Sequence, residues 1–205
     1  NPYTIAFDAP VTEVIELMRE KNLKRVPVVH GEKVVGMITQ GDIQKVSPTK
    51  ATTLSIFEIN YLLSKTKVSD AMTKEVITIS PDALLEEAAV LMRDNKISTL
   101  AVVKDAKLVG IITESDIFDA FIDLLGFRDV GSRITIQAQD APGALADITQ
   151  IFKDLDLNIT HIAVYRGSIG FSDVVIRTNT INTDTLEKRL GEHGYKIDNL
   201  MRNEG

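Results

Sequence analysis

The feature that most constrains the fold is an internal repeat with an offset of 74 residues. The hexapeptide ITQGDI at residues 38–43 recurs as ITESDI at residues 112–117. The same offset aligns LMR at 17–19 with LMR at 91–93, and VG at 35–36 with VG at 109–110, without a gap. Self-similarity held over a whole unit indicates duplication. The first half of the chain therefore folds as two copies of one structural unit.

Each repeat has the pattern strand, helix, strand, strand, helix. The predicted first helices carry apolar residues at helical spacing on one face, which are Val11, Val14, Ile15 and Met18 in one repeat and Leu85, Ala88, Ala89 and Met92 in the other. Asp8 and Pro10 precede the first of these helices and predict an N-terminal cap and a first helical turn. Residues 26–29 and 34–39 predict two strands, joined by a turn in which Gly31 takes a positive φ.

The segment between the repeats contains a break and a further helix. Ser47-Pro48-Thr49 interrupts the helical pattern, and residues 54–63 resume it with Ile56, Ile59 and Leu63 on one side. This apolar side predicts packing against the paired repeats or against a second copy of the chain.

The last third of the chain changes pattern and predicts a separate domain. Strands are expected at residues 133–138, 157–165, 171–178 and 195–200. Helices are expected after the turn at residues 140–143, with Leu145, Ile148, Phe152 and Leu155 on one face, and at residues 183–193 before Gly194. The order βαββαβ predicts a ferredoxin-like sandwich of a sheet and two helices.

Composition excludes several functions. The 23 basic and 29 acidic residues give a net charge of −6 without a clustered basic stripe, which argues against nucleic acid as a partner. The chain has no Cys, no run of about eighteen apolar residues, and no basic-then-apolar order at its start. We therefore expect a cytoplasmic protein without a membrane partner.

No catalytic motif is visible, so we expect that the protein is not an enzyme. A Gly-x-Ser-x-Gly turn, a phosphate-binding loop and a metal-binding histidine pair do not occur. His30, His161 and His193 are interpreted as core or surface residues, since no two have metal-ligand spacing.

The two repeated motifs resemble the signature of CBS domains. GMITQGD at residues 36–42 and GIITESD at residues 110–116 both have Gly, two apolar residues, Thr, two variable residues and Asp. KRVPV at residues 24–28 is similar to the start of the family's second strand. The resemblance identifies a CBS pair with modules at residues 1–47 and 67–123, joined by a helical connector at residues 48–66.

This resemblance implies binding of an adenosine compound, such as AMP, ATP or S-adenosylmethionine, as a regulatory ligand, with no required cofactor and no metal. Ribose-side groups would be Thr39 and Asp42 in one site and Thr113 and Asp116 in the other. The base would lie against Ile5 and Val26, or against Ile79 and Leu100. The implied nucleotide-binding set also includes residues around the start of the second strand, which are Lys24, Arg25 and Pro27 in the first repeat and Ser98 and Thr99 in the second.

Two questions about these sites stay open on the sequence. Thr39 with Asp42, and Thr113 with Asp116, also match a capping box that needs no ligand. Lys24 and Arg25 favour phosphate at the first site, whereas the second site, with hydroxyls and Lys96, suits a less charged ligand. The alternative is that both cations are solvated surface charges.

The C-terminal domain, residues 132–205 after a linker at 124–131, resembles ACT domains. The segment DAPGALA at residues 140–146, followed by LNI at 157–159, matches the family's acidic-x-Pro-Gly-x-Leu turn and Asn-Ile strand in order. The resemblance implies side-by-side pairing and an amino-acid site made by Asp140, Pro142, Gly143, Ala144, Leu145, Asn158 and Ile159. Alternatively, Asp140 only caps the helix and the domain only dimerises.

Taken together, the sequence predicts an α/β (α+β) chain of paired CBS modules and an ACT domain, similar to acetoin-utilisation AcuB-like regulatory proteins. The expected function is allosteric sensing of an adenine nucleotide by a homodimer, with an amino acid as a second ligand and an unidentified protein partner. The alternative is a scaffold with empty clefts that assembles through Ile56, Ile59 and Leu63.

Overall fold

The computed structural model describes residues 2–48 and 53–205, which form two compact units, one ending at Ile117 and the other beginning at Phe118. Asn1, at the start of the chain, and Thr49, in the predicted break, lie outside the described residues. The boundary between the units falls inside a helix that completes the second repeat.

The first unit contains both repeats and a connector. The first repeat comprises β1 (Ile5–Ala6), α1 (Val11–Glu20), β2 (Arg25–His30), β3 (Lys33–Thr39) and α2 (Gln40–Val46). The connector comprises α3 (Ile56–Lys65) and α4 (Val68–Ala71). The second repeat comprises β4 (Thr78–Ile79), α5 (Leu85–Asn95), β5 (Thr99–Lys104), β6 (Lys107–Thr113) and α6 (Glu114–Leu124).

Each repeat builds its own three-stranded sheet, and the two sheets have the same topology, which confirms the duplication. The orders are β1-β2-β3 and β4-β5-β6, and in each the first pair is parallel and the second antiparallel. Even the irregularity is repeated, because the register shifts between Val28 and Val29 in one sheet and between Val102 and Val103 in the other. The bulge therefore belongs to the duplicated unit.

The first helix of each repeat buries the predicted face, but α1 begins differently from the prediction. Pro10 is the N-cap residue, and no side chain caps the helix. The amide of Val11 instead donates to the carbonyl of Thr66 in the connector, at 2.9 Å. The predicted capping role of Asp8 is therefore wrong, because a tertiary backbone contact already satisfies the first helical amide.

The connector packs on the first repeat through only part of its predicted face. Leu63 of α3 and Val68 of α4 are buried in the core of the first repeat, and Ile59 is partly buried against it. Ile56 is 75% exposed, so it does not share this contact. A Cβ on Gly36 would overlap the side chain of Met72, which shows how closely the connector approaches β3.

The second unit has the predicted βαββαβ order. Its elements are β7 (Gly131–Gln139), α7 (Ala144–Asp154), β8 (Ile159–Arg166), β9 (Phe171–Thr178), α8 (Asp184–Glu192) and β10 (Lys196–Asn203). The strand order is β10-β7-β9-β8, with antiparallel neighbours throughout. Ile148 and Phe152 of α7 are buried as expected, but Leu145 is 42% exposed and Ile151 is buried in its place.

Candidate functional site

Two clefts in the first unit each combine residues of both repeats. The first cleft, about 450 Å³, joins Thr39 at the end of β3 to the segment that leads into β5. The second cleft, about 370 Å³, joins Thr113 at the end of β6 to the segment that leads into β2. The two arrangements are equivalent under the 74-residue offset. The threonine of each TxxD motif therefore shares a cleft with the starts of the second strands of both repeats, whereas the sequence grouped it with residues of its own repeat only.

The first cleft is the more cationic. Lys24, Arg25 and Lys96 line it, with Glu75 as the carboxylate. Its remaining lining is uncharged and mostly apolar or hydroxyl-bearing, with one amide side chain: Met37, Thr39, Gln40, Gly41, Thr73, Val76, Ile77, Ile97, Ser98 and Thr99. Cations beside apolar side chains and hydroxyls match a ligand with a flat ring, a sugar and a phosphate.

The second cleft shares part of this lining. Lys24, Arg25, Ser98 and Thr99 line both clefts, and Glu114 and Ser115 follow Thr113 in the second. Lys96 lines the first cleft, so the predicted assignment of Lys96 to the second site is wrong. The reason is that the segment leading into β5, which carries Lys96, faces Thr39 of the other repeat, where Lys24 and Arg25 also lie.

A hydrogen bond links the segments at the starts of β2 and β5. Nη1 of Arg25 donates to Oγ1 of Thr99 at 2.9 Å, and these residues occupy equivalent positions in the two repeats. The Thr99 hydroxyl donates in turn to the carbonyl of Ser98, at 2.6 Å. Arg25 is thus held between the clefts by a partner in the other repeat, and it is not a freely solvated charge.

Asp42 belongs to a closed hydrogen-bond network with its own helix. Its Oδ2 accepts from the Thr39 amide at 3.1 Å and from the Thr39 hydroxyl at 2.7 Å, and Nζ of Lys45 contacts Oδ1 at 3.0 Å. The Asp42 amide donates back to the Thr39 hydroxyl. Burial raises the pKa of Asp42, but the hydrogen bonds from Thr39 and Lys45 outweigh this effect and hold the pKa below its ordinary value.

Asp116 makes the equivalent bonds at the surface. Its Oδ2 accepts from the Thr113 amide and hydroxyl, both at 2.7 Å, and the residue is exposed. Both predicted capping boxes are therefore present. Neither aspartate lines a cleft, although the threonine of each motif does.

The first backbone amides of α2 and α6 are engaged within the protein and offer little to an anion. The Gln40 amide donates to the carbonyl of Lys24 at 3.1 Å, and the Glu114 amide donates to the carbonyl of Ser98 at 3.2 Å. The Asp42 amide is also taken, by Thr39. Because these donors are occupied, the side-chain cations are the main groups of the clefts that are available to an anion.

The residues proposed to contact the base lie in or against the hydrophobic cores. Val26 and Leu100 have no exposed surface, Pro27 is buried, and Ile79 is 9% exposed. Ile5 packs against the first core. None of them lines a cleft. The apolar surface that faces the first cleft comes from Met37, which is the second residue of the GMITQGD motif, and from Val76, Ile77 and Ile97, which lie outside the two signature motifs.

The ACT-like residues fall into two groups in the second unit. Asp140, Pro142, Gly143, Ala144 and Leu145 lie at the start of α7, whereas Asn158 and Ile159 follow its end and line a shallow cavity of about 440 Å³. Eleven residues of α7 separate the groups by about 16 Å. Gly143 is the N-cap residue and no side chain caps α7, so the alternative capping role of Asp140 is wrong.

His30 and His193 lie outside both clefts. The His30 ring stacks on Phe7 with ring centroids 4.5 Å apart, and the His193 ring contacts the carbonyl of Arg189 at 2.8 Å. Within residues 2–48 and 53–205, no group of acidic, histidine or cysteine side chains is placed to hold a metal ion. Among the helices of these residues, none has the length and apolarity needed to cross a membrane.

Comparison with known proteins agrees with this architecture. The CBS domain family matches residues 1–48 and 68–123, and the ACT domain family matches residues 132–195. The chain therefore belongs to the CBS domain family, with an ACT domain after the CBS pair. A solved structure from Vibrio cholerae that carries the name acetoin utilization protein (AcuB) has 29% identity and a TM-score of 0.51, over 62% of this chain and 88% of that one.

The chain is similar to relatives of comparable length and to parts of longer enzymes. An uncharacterized protein of Methanocaldococcus jannaschii is 34% identical over 146 residues, which cover 60% of this chain and 87% of the relative. The inosine-5'-monophosphate dehydrogenase of Bacillus subtilis is 31% identical over 186 residues, which cover 88% of this chain and 34% of the enzyme. The chain thus spans about a third of the length of that enzyme.

Proposed function

We propose that the chain is a regulatory protein that senses an adenosine-containing nucleotide in the first cleft. The observation that carries this proposal is the convergence of Lys24, Arg25 and Lys96 on one cleft of about 450 Å³ with an apolar wall. A cleft of this size falls within the range of small-molecule sites. Three cations against one carboxylate favour a phosphorylated ligand.

The charge balance ranks the candidate ligands. Glu75 offsets one of the three cations of the first cleft, which leaves a positive surplus. ATP and AMP bring phosphate to that surplus, whereas S-adenosylmethionine brings a sulfonium cation. The proposal is therefore that the first cleft prefers ATP or AMP over S-adenosylmethionine, with the Thr39 hydroxyl toward the ribose and Val76 and Ile77 toward the base.

Arg25 is the residue that tests the proposal most directly. A charge-assisted hydrogen bond contributes about 1.5–3 kcal/mol, so Arg25→Met should weaken ATP binding about 10- to 100-fold. Arg19→Met is the matched control, because Arg19 is an exposed arginine on α1 that lines neither cleft. Isothermal titration of the full chain with ATP, AMP, adenosine and S-adenosylmethionine gives the affinities.

Two further measurements separate charge from shape. ATP should bind more tightly than adenosine, and the difference should shrink as salt is raised. Thr99→Val removes the hydroxyl that holds Arg25 and should weaken ATP binding less than Arg25→Met does. Equal affinities for ATP and adenosine, or equal effects of Arg25→Met and Arg19→Met, would contradict the assignment of phosphate to this cleft.

The ACT domain supplies a second, coupled site in this proposal. Asp140 and Asn158 lie at opposite ends of α7, so a site that uses both needs a second copy of the chain. Such a homodimer would place an amino acid between domains and link its binding reciprocally to that of the nucleotide. Nucleotide affinity that is the same with and without each of the twenty amino acids would refute the coupling.

The exposed face of α3 favours a second candidate function, that of an assembly scaffold. Ile56, Phe57 and Tyr61 are 75%, 86% and 63% exposed, which is unusual for adjacent apolar side chains on one short helix. If no nucleotide binds, we propose that this face mediates assembly with a second copy or with a protein partner. Phe57→Glu would then lower the assembled mass measured by light scattering.

A further inference from the structure

The second unit contains a row of basic side chains on the face of its sheet that does not carry the helix core. On β7 and β9, Ile134, Ile136, Val174 and Ile176 are buried in the core with α7 and α8. Because strand residues alternate between faces, their neighbours in sequence lie on the opposite face. There, Arg133 of β7 pairs with Arg177 of β9, and Arg177 pairs with His161 of β8.

This row borders a cavity of about 410 Å³ whose other walls are apolar. The end of α6 and the segment after it contribute Phe118, Phe121, Ile122, Leu125 and Phe127. No carboxylate lines the cavity among the described residues. A Cβ on Gly126 would overlap the His161 ring, so the segment after α6 lies close against the sheet at this point. The cavity is therefore apolar with a cationic edge.

Arg177 is buried and forms no ion pair among the described residues. It is 8% exposed, and within the part of the chain that the structure describes it makes neither an ion pair nor a hydrogen bond through its side chain. Its guanidinium lies 5.9 Å from the centroid of the Phe127 ring. Arg133 donates to the Thr135 hydroxyl at 2.9 Å, which still leaves most of its donors available.

Arg128 shows how an arginine of the same unit is ordinarily accommodated. Its side chain is 65% exposed and contacts Asp119 at 3.4 Å and Asp123 at 3.9 Å. Arg177 is much less exposed than Arg128 and contacts no carboxylate among the described residues. Buried charges are ordinarily paired. The donors of Arg177 therefore remain available to an anionic group at the edge of the cavity.

The electrostatics around Arg177 support the same conclusion. Like charges directly opposite each other across strands are destabilising. Burial, followed by the neighbouring Arg133, lowers the pKa of Arg177 below its ordinary value, and Asp129 partly opposes this. The guanidinium nevertheless stays protonated at neutral pH. Asp129, whose Oδ2 is 3.4 Å from Nδ1 of His161, balances one of the two arginines and leaves one positive charge.

We propose that this cavity binds a small organic acid with a single carboxylate and an apolar tail. The carboxylate takes the donors of Arg177 and Arg133 in the planar geometry that guanidinium groups favour. The tail, aromatic or branched aliphatic, lies against the phenylalanines of the segment around α6. The site is separate from the turn at residues 140–145, which does not line the cavity.

A matched pair of probes isolates the charge. 3-Phenylpropionate and 3-phenylpropan-1-ol share a tail and differ in the carboxylate, and ligand-observed NMR titration of the full chain gives both affinities. The acid should bind at least about tenfold more tightly than the alcohol, the ratio that a charge-assisted hydrogen bond of about 1.5 kcal/mol provides. Equal affinities, or no binding of the acid at millimolar concentration, would overturn the proposal.

Variants then locate the site. Arg177→Met should weaken 3-phenylpropionate about 10- to 100-fold and change the alcohol little, whereas Arg128→Met should change neither. Ala163→Leu fills the cavity from the β8 side and should weaken both probes. If Arg177→Met does not fold, Arg133→Met takes its place, with the same expectation for acid and alcohol. A loss of acid binding that is equal in Arg177→Met and Arg128→Met refutes the assignment.

Discussion

The two repeats of the CBS pair carry the same motif in different surroundings. In the first, Asp42 is 6% exposed and contacts Lys45, while in the second, Asp116 is exposed. The capping bonds to Thr39 and Thr113 are otherwise the same. The local hydrogen bonds thus follow from the four-residue motif alone, whereas burial depends on what packs around the motif.

The connector adds to the core of the first repeat. Leu63 and Val68 extend the core of the first repeat, and α4 lies beside β3, where Met37 and Thr73 exchange backbone hydrogen bonds at 2.9 Å. Ile38 is fully buried as a result, whereas the equivalent Ile112 is only partly buried. The two repeats have the same sheet topology, but the connector packs on the first repeat and makes its core the better packed of the two.

The largest expected effect tests this inequality in the cores. Ile38→Ala should cost about 2–5 kcal/mol of unfolding free energy, because it leaves a cavity in a closed core. Ile112→Ala should cost less than about 2 kcal/mol, because water already reaches part of that side chain. Urea unfolding followed by circular dichroism measures both. Equal losses would show that the connector does not stabilise the first repeat preferentially.

A smaller effect is expected at the aspartates. Asp42→Ala should cost about 1–3 kcal/mol, because it leaves the Thr39 amide without its acceptor in a partly buried site. Asp116→Ala should cost about 0.5–1 kcal/mol, since water replaces the carboxylate at the surface. The same unfolding experiment compares them. A larger loss for Asp116→Ala would reverse the comparison and assign the more important cap to the second repeat.

The smallest effect is a dependence on pH. The folded-state pKa of Asp42 is lowered, so its stabilising contribution is complete above the unfolded-state pKa of about 3.9 and is lost as the pH falls through the lower folded-state value. Wild type should therefore lose stability relative to Asp42→Asn on acidification below about pH 4. Melting temperatures recorded from neutral to acidic pH measure the difference, and parallel curves would contradict the role of the Thr39 and Lys45 bonds.

Much of the architecture was predictable because it depends on periodicity and on local chemistry. The helix face of Val11, Val14 and Met18 is buried as predicted, and Gly31 takes a positive φ of 64° in its turn. The capping boxes formed because their donors and acceptors lie within four residues. The start of α1 was not predictable, since its acceptor, Thr66, is distant in sequence.

The candidate sites were predicted only in part, for the same reason. Lys24, Arg25, Ser98 and Thr99 were singled out and do line the clefts, but Val76 and Ile77 carry no motif and were missed. Arg133 and Arg177 were also missed, and His161 was interpreted as a core or surface residue, because only the strand register places the three side by side. The alternation of β7 and β9 could have put them on one face, but it could not have shown that Arg177 is buried without an ion pair among the described residues.

The sequence by itself determined the duplication, the order of elements, the family and the local caps, because these depend on residues close together in the chain. Tertiary structure alone decided three further points. It placed the threonine of each TxxD motif in a cleft with the starts of the second strands of both repeats, it bonded Arg25 to Thr99, and it buried Asp42 but not Asp116. These outcomes depend on contacts between segments far apart in sequence, which periodicity and spacing do not encode.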